Sequence, residues 1–334
     1  MNRILAFQIA TIIICSAFGL SAQEKKESWT DKGQVYGTIF ANFHSELSNT
    51  EGEKGFEVKR AYLGYKIKID EHFSGNIKLD IGSPDDVSEY SLKKRFAYFK
   101  NAYLQYEYQN LKVQFGIANC KQFNVQEKFW GYRYVYKSFQ DQNKFGPSAD
   151  IGLFAGYKVN DILSIDAAYT NGEGYSTTQA DNDFKASFGL TTTPIKQVTI
   201  RLYYDSFTSS EFKQSTVSSF IGIKHSILSV GGEYSYQINN AFEKDHNIYG
   251  FSVFGTVNPI EKIKIFARYD QVYSNIIVND IPWNLANNGS SIISGVEYSP
   301  ISKVNLSINY QDWLAYASDG TDKHFIYFNL QYSF

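Results

Sequence analysis

Several things are scarce in this chain of 334 residues, and each scarcity removes a class of protein. After Leu20 no apolar run approaches the roughly 18 residues that a membrane-spanning helix requires, so no transmembrane helix is available. The two cysteines are Cys15, inside an early apolar run, and Cys120. Loss of the first leaves the second without a partner, so no internal disulfide staples the fold and Cys120 reads as a free loop thiol without a role. Ile14 before Cys15 is not the small residue that a lipid-anchor signal needs. The five histidines, His44, His72, His225, His246 and His324, show neither metal-ligand spacing nor a matched serine motif, so nothing points to a catalytic centre, a metal or a cofactor. A formal charge of -2 is too even to point to nucleic acid or to anionic lipid. No plug-like segment precedes the first strand, so energised uptake is not expected.

What the chain does have is aromatic side chains, 26 Tyr and 26 Phe, the residues that favour strands and the membrane–water boundary. It opens with Met1-Asn2-Arg3, an apolar run from Ile4 to Leu20, and Ser21-Ala22-Gln23. This is the layout of a secretory signal cleaved after Ala22. Residues 1–22 are therefore assigned as signal peptide, 23–33 as a polar lead-in and 34–334 as one domain.

From Val35 onward apolar and polar residues alternate with period two. Val35, Gly37, Ile39, Ala41 and Phe43 form one face of the first strand, with Tyr36, Thr38, Asn42 and His44 on the other. The second strand sets Ala61, Leu63, Tyr65 and Ile67 against Arg60, Tyr62, Lys66 and Lys68. About sixteen such strands follow one another to residue 334. Their connections alternate: turns of a few residues at 71, 110, 160–161, 196, 225–226, 258–259 and 300, and longer polar segments at 46–55, 83–95, 118–147, 172–183, 209–213, 239–246, 274–289 and 313–322. A soluble β-sandwich also has short alternating strands. Short turns on one rim and long loops on the other are instead the mark of an outer-membrane barrel, and only a closed barrel satisfies strand backbones in lipid. In the last strand Ile326, Phe328, Leu330, Tyr332 and Phe334 make an apolar face. That strand is expected to close on Val35–Phe43, with Phe334 read by the barrel assembly machinery.

A barrel of this size leaves an aqueous channel. The third long loop, 118–147, carries many aromatics and five cations opposed only by Glu127 and Asp141. Such a loop needs somewhere to bury its rings, and the lumen supplies it. Lys121, Lys128, Arg133 and Lys137 are therefore expected to line a constriction that favours anions. The polar strand face collects Arg60, Lys66, Lys68, Lys78, Lys112, Lys185, Arg201, Lys224, Lys264 and Arg268 against Asp80, Glu107, Asp166, Asp205, Glu233, Asp270 and Glu297, a mixed wall with a modest cationic excess. Asn171-Gly172-Glu173-Gly174-Tyr175 lacks the Lys-Ser/Thr and the strand–helix context of a phosphate-binding loop and reads as a turn.

Phe56–Tyr65, Gly75–Asp80, Trp130–Arg133, Ser148–Gly152 and Asn171–Tyr175 resemble the phosphate-selective porin O and P family, over most of the chain. The resemblance implies a sixteen-stranded, trimeric outer-membrane channel of a Gram-negative bacterium, with an inward third loop and an arginine ladder and lysine cluster that conduct phosphate. Arg60 and Arg133 lie in the matching segments, and only Arg95, Arg201 and Arg268 add to them. Lysine outnumbers arginine here, whereas arginine is the residue suited to bidentate phosphate contacts. The expected function is passive diffusion of small hydrophilic solutes with a weak anion preference. The alternative is a structural or adhesive barrel with a closed lumen and partner-binding loops.

Overall fold

The computed structural model describes residues 33–48, 52–82, 97–177, 179, 182–208, 212–278, 280–318 and 320–334. The signal-peptide reading, most of the lead-in and all of the second long loop, Arg95 included, lie outside the described residues.

The strands are β1 (Gly33–Glu46), β2 (Lys54–Lys68), β3 (Phe73–Ile81), β4 (Ala97–Tyr108), β5 (Leu111–Asn119), β6 (Ala149–Lys158), β7 (Leu163–Thr170), β8 (Lys185–Ile195), β9 (Val198–Thr208), β10 (Lys213–Lys224), β11 (Leu228–Ile238), β12 (Ile248–Ile260), β13 (Ile263–Ser274), β14 (Ile276–Val278), β15 (Ile281–Pro282), β16 (Gly289–Ile301), β17 (Val304–Ala315) and β18 (Lys323–Ser333). Sixteen of them close into one barrel, each beside its neighbours in sequence, while β14 and β15 form a separate hairpin within a long loop. The strand number and the alternation of short turns with long loops are as the sequence indicates.

Period two becomes inside and outside. On β12, Ser252 is fully buried while its neighbour Val253 is 50% exposed. On β10, Thr216, Ser218 and Phe220 are buried where Val217 and Ile221 are bare. The exposed apolar row is the surface a bilayer covers, and the buried polar row faces the lumen. The ring closes where β18 pairs antiparallel with β1, from Thr38 opposite Ser333 to Glu46 opposite Phe325.

The loop after β5 holds two short helices, α1 (Asn124–Trp130) and α2 (Phe139–Gln142), which period-two alternation does not signal. Gly131 ends α1 in the left-handed conformation (φ 79°), and its N–H donates to Glu127 O at 3.0 Å. The reversal sends the chain back over the helix. Trp130, Tyr132, Tyr134 and Val135 then pack with Phe40, Phe220, Phe254, Phe266 and Ile293 in one buried cluster. A second cluster joins Phe139 and Phe145 to Ile248 and Val272. The main apolar core of this protein thus lies inside its barrel, beneath a loop.

Candidate functional site

The third long loop is tied across the lumen by bonds from strands far apart in sequence. The Tyr134 hydroxyl donates to Glu297 Oε2 at 2.8 Å, and Gln140 Nε2 to Glu233 Oε2 at 3.0 Å. In return Arg201 donates to Lys121 O and Arg268 to Lys137 O, each at 2.7 Å, Gln237 to Phe145 O at 2.9 Å and Gln311 to Val135 O at 3.2 Å. Burial, with Glu297 alongside, pushes the Tyr134 hydroxyl well above its ordinary range, and burial pushes Tyr136 up to about 12. Both phenols therefore stay protonated at neutral pH. Each aromatic seated against the wall contributes about 1.5–3 kcal/mol over an exposed one. The loop is thus a fixed partition inside the barrel, bonded to β9, β11, β13, β16 and β17 and packed on Phe40 of β1 as well.

The four residues expected at the constriction all belong to this partition, but their charges are not equally available. Arg133 Nε lies 3.2 Å from Glu127 Oε2 and its Nη2 2.9 Å from Asp141 Oδ2, so both opposing carboxylates are spent on one guanidinium. Lys121 is half-buried, and burial lowers its pKa against the pull of Asp166. Lys128 is exposed. Lys137 lines a cavity of about 210 Å³ with Arg60, Arg133, Asp141, Glu173 and Tyr175.

The strand arginines of the mixed wall are each paired with a carboxylate. Arg60 bonds Asp80 at 2.8 Å, Arg201 bonds Asp166 at 2.7 Å, and Arg268 Nε bonds Asp270 at 2.7 Å. Lys264 pairs with Glu297 at 2.6 Å and Lys185 with Asp205 at 2.7 Å. An unpaired guanidinium at such buried positions is costly, and pairing removes that cost. Arg201 and Arg268 hold loop carbonyls as well, which makes them struts of the partition.

The lysines of β2, β3 and β4 are arranged differently. Lys66 sits over the Tyr36 ring and Lys78 over the Tyr62 ring, both at 4.9 Å, and Lys100 over the Tyr175 ring at 4.0 Å. Among the described residues no carboxylate lies within ion-pair distance of these three. Lys68, two residues beyond Lys66, is exposed. Tyr175 belongs to the Asn171–Tyr175 turn, which dips into the lumen so that the Tyr175 hydroxyl donates to Asp80 Oδ2 at 2.9 Å.

Lys100 was not among the lumen cations read from sequence, and the reason is local. Asn101, Tyr103 and Gln105 set an inward odd series on β4 that assigns Lys100 outward. The pairing with β3 slips between Lys78 and Leu79, from Asn101 to Phe99, and the bulge turns Lys100 inward beside Asn101. It is 6% exposed and donates to Ser148 Oγ. The seat of the loop did have a signal: Phe40, Phe220, Phe254, Phe266 and Ile293 stand at positions that the alternation assigns to the lumen.

No protein-family model matches the chain, and no curated protein matches its sequence. Solved structures do. The outer membrane channel DcaP of Acinetobacter baumannii is 14% identical over 94% of this chain and 100% of its own, with a TM-score of 0.67. OmpF of Salmonella typhi, in complex with daunomycin, is 13% identical over 92% of this chain and 100% of its own, also at 0.67. The trimer form of OmpT, an outer membrane protein of Vibrio cholerae, is 15% identical over 91% and 100%, at 0.57. At such identities the likeness is one of fold: the chain has the closed antiparallel barrel that outer-membrane channels have.

Proposed function

We propose that the protein is an outer-membrane porin of a Gram-negative bacterium, a passive channel for small hydrophilic solutes with a weak preference for anions. The observation that carries this reading is the partition: the third long loop is fixed inside a sixteen-stranded barrel and narrows its lumen. Anion preference rests on the lysines. All four arginines among the described residues are ion-paired to carboxylates, whereas Lys66 and Lys78 meet tyrosine rings instead. Phosphate is a poor fit for the same reason, since the guanidiniums that would grip it bidentately are already engaged. The same reading takes the N-terminal segment as a signal peptide, the assembly as a homotrimer in outer-membrane lipid, and Phe334 as part of what the barrel assembly machinery reads.

The test is a planar bilayer with a salt gradient. Stable open steps with a reversal potential on the anion side are expected, and Lys66→Gln/Lys78→Gln should move that potential toward zero. Cation-side reversal would overturn the preference. A barrel that inserts and gives no open steps would instead be the closed, adhesive or structural kind.

A further inference from the structure

Tyr36 lies flat across β2. Its ring covers Gly64, where any side chain would collide with it, and its hydroxyl reaches on to Asn76 Oδ1 on β3 at 2.7 Å. In the pairing of β2 with β3, Lys66 stands opposite Asn76, Gly64 opposite Lys78 and Tyr62 opposite Asp80. Lysines and tyrosine rings therefore interleave along this wall, Lys78 with Tyr62 and, toward the short turns, Lys66 with Tyr36. Lys66 and Lys78 are diagonal neighbours on paired strands, about 7–8 Å apart along the backbone and inside the roughly 10 Å over which charges interact at 0.1 M salt. An anion leaving one ammonium is already in the field of the next.

A wall built only to pass inorganic anions gains nothing from aromatic surface, because small hydrated ions do not shed water onto rings. Here Lys66 and Lys78 each have a half-buried tyrosine ring at their side, which gives a carboxylate a charge to meet and its carbon skeleton apolar surface to lie against. Lysine is also a compact single charge, matched to a monocarboxylate better than to the forked contact that phosphate takes from arginine. We infer that this wall selects organic carboxylates with a flat apolar body, the benzoate class, over phosphate and over short carboxylates. The inference rests on the channel reading and names the solute class of that passage. The contacts are weak and repeated, the condition under which binding speeds passage rather than blocking it.

The experiment is single-channel recording of the full chain in symmetric chloride, with benzoate, acetate or phosphate added to one side. Benzoate should bind about threefold to tenfold more tightly than acetate or phosphate, the increment that one aromatic contact supplies. Tyr36→Leu/Tyr62→Leu should bring benzoate down to the acetate level, while Tyr36→Phe/Tyr62→Phe should keep the benzoate preference. Phosphate binding as tight as benzoate in the native protein, or a preference that survives in the leucine variant, would overturn the assignment while leaving the porin intact. A protein that opens no channel would sink both readings together.

Discussion

Gly37 and Phe334 form the seam of the barrel. The Gly37 N–H donates to Phe334 O at 3.2 Å, the Phe334 N–H donates back to Gly37 O at 3.1 Å, and the phenyl ring lies over the glycine where a Cβ would collide with it. The pair joins the first strand to the last. A residue without a side chain and a large aromatic are thus complementary halves of one contact.

Gly37→Val puts a branched side chain under that ring. Displacing it is an overpacking change worth about 1–3 kcal/mol, concentrated at the seam on which closure depends. The yield of heat-modifiable folded barrel on a gel should fall, and removing Phe334 should lower it further, while channels that do assemble keep native conductance. Normal yield from both variants would separate Phe334 from assembly.

The barrel was legible in the sequence because lipid imposes one rule on every strand, and Val217, Ile221, Val253 and Phe328 obey it. The lumen obeys no such rule. Its inward positions hold a paired Arg268, a buried Phe266 and a strut such as Arg201, and which of these an inward residue becomes depends on a loop more than fifty residues away. A count of inward cations and carboxylates therefore does not say which of them are paired. At Lys100 the miss was of another kind, since one bulge reverses the parity on which the reading relied.

Deleting residues 121–137 removes α1 and the stretch that carries Trp130, Tyr132 and Tyr134. The partition leaves with it, and Phe220, Phe254 and Phe266 become lumen surface. Single-channel conductance should rise, because the narrowest section is gone while the wall hydrogen bonds of the sixteen strands are untouched. An unchanged conductance would mean that the ions pass elsewhere.

Cys120 follows the last residue of β5, and burial, with Asp150 beside it, pushes its thiol up to about 12 despite Lys185 and Lys100 nearby. The thiolate is the reactive form, so at pH 8 the thiol is nearly all unreactive. Maleimide should label native protein slowly and denatured protein readily. Equal rates would show that the thiol is open to solvent.

Glu127 offers a test of the partition by pH. Burial raises its pKa above the ordinary 4.5, with Asp141 adding to the rise and Arg133, Lys100 and Lys78 opposing it. A carboxyl whose folded pKa is raised contributes stability below its unfolded value, and that contribution is lost as pH rises through the folded value. Acidification through this window seats the loop more firmly and removes a negative charge beside an Arg133 that keeps its own. Anion preference, read as reversal potential in a salt gradient, should therefore increase from pH 7 toward pH 4. Glu127→Gln should show the acid-side preference already at pH 7 and a flatter profile below it. If the variant titrates as steeply as the native channel, the change belongs to another carboxylate, and Asp141, the second partner of Arg133, is the next to replace.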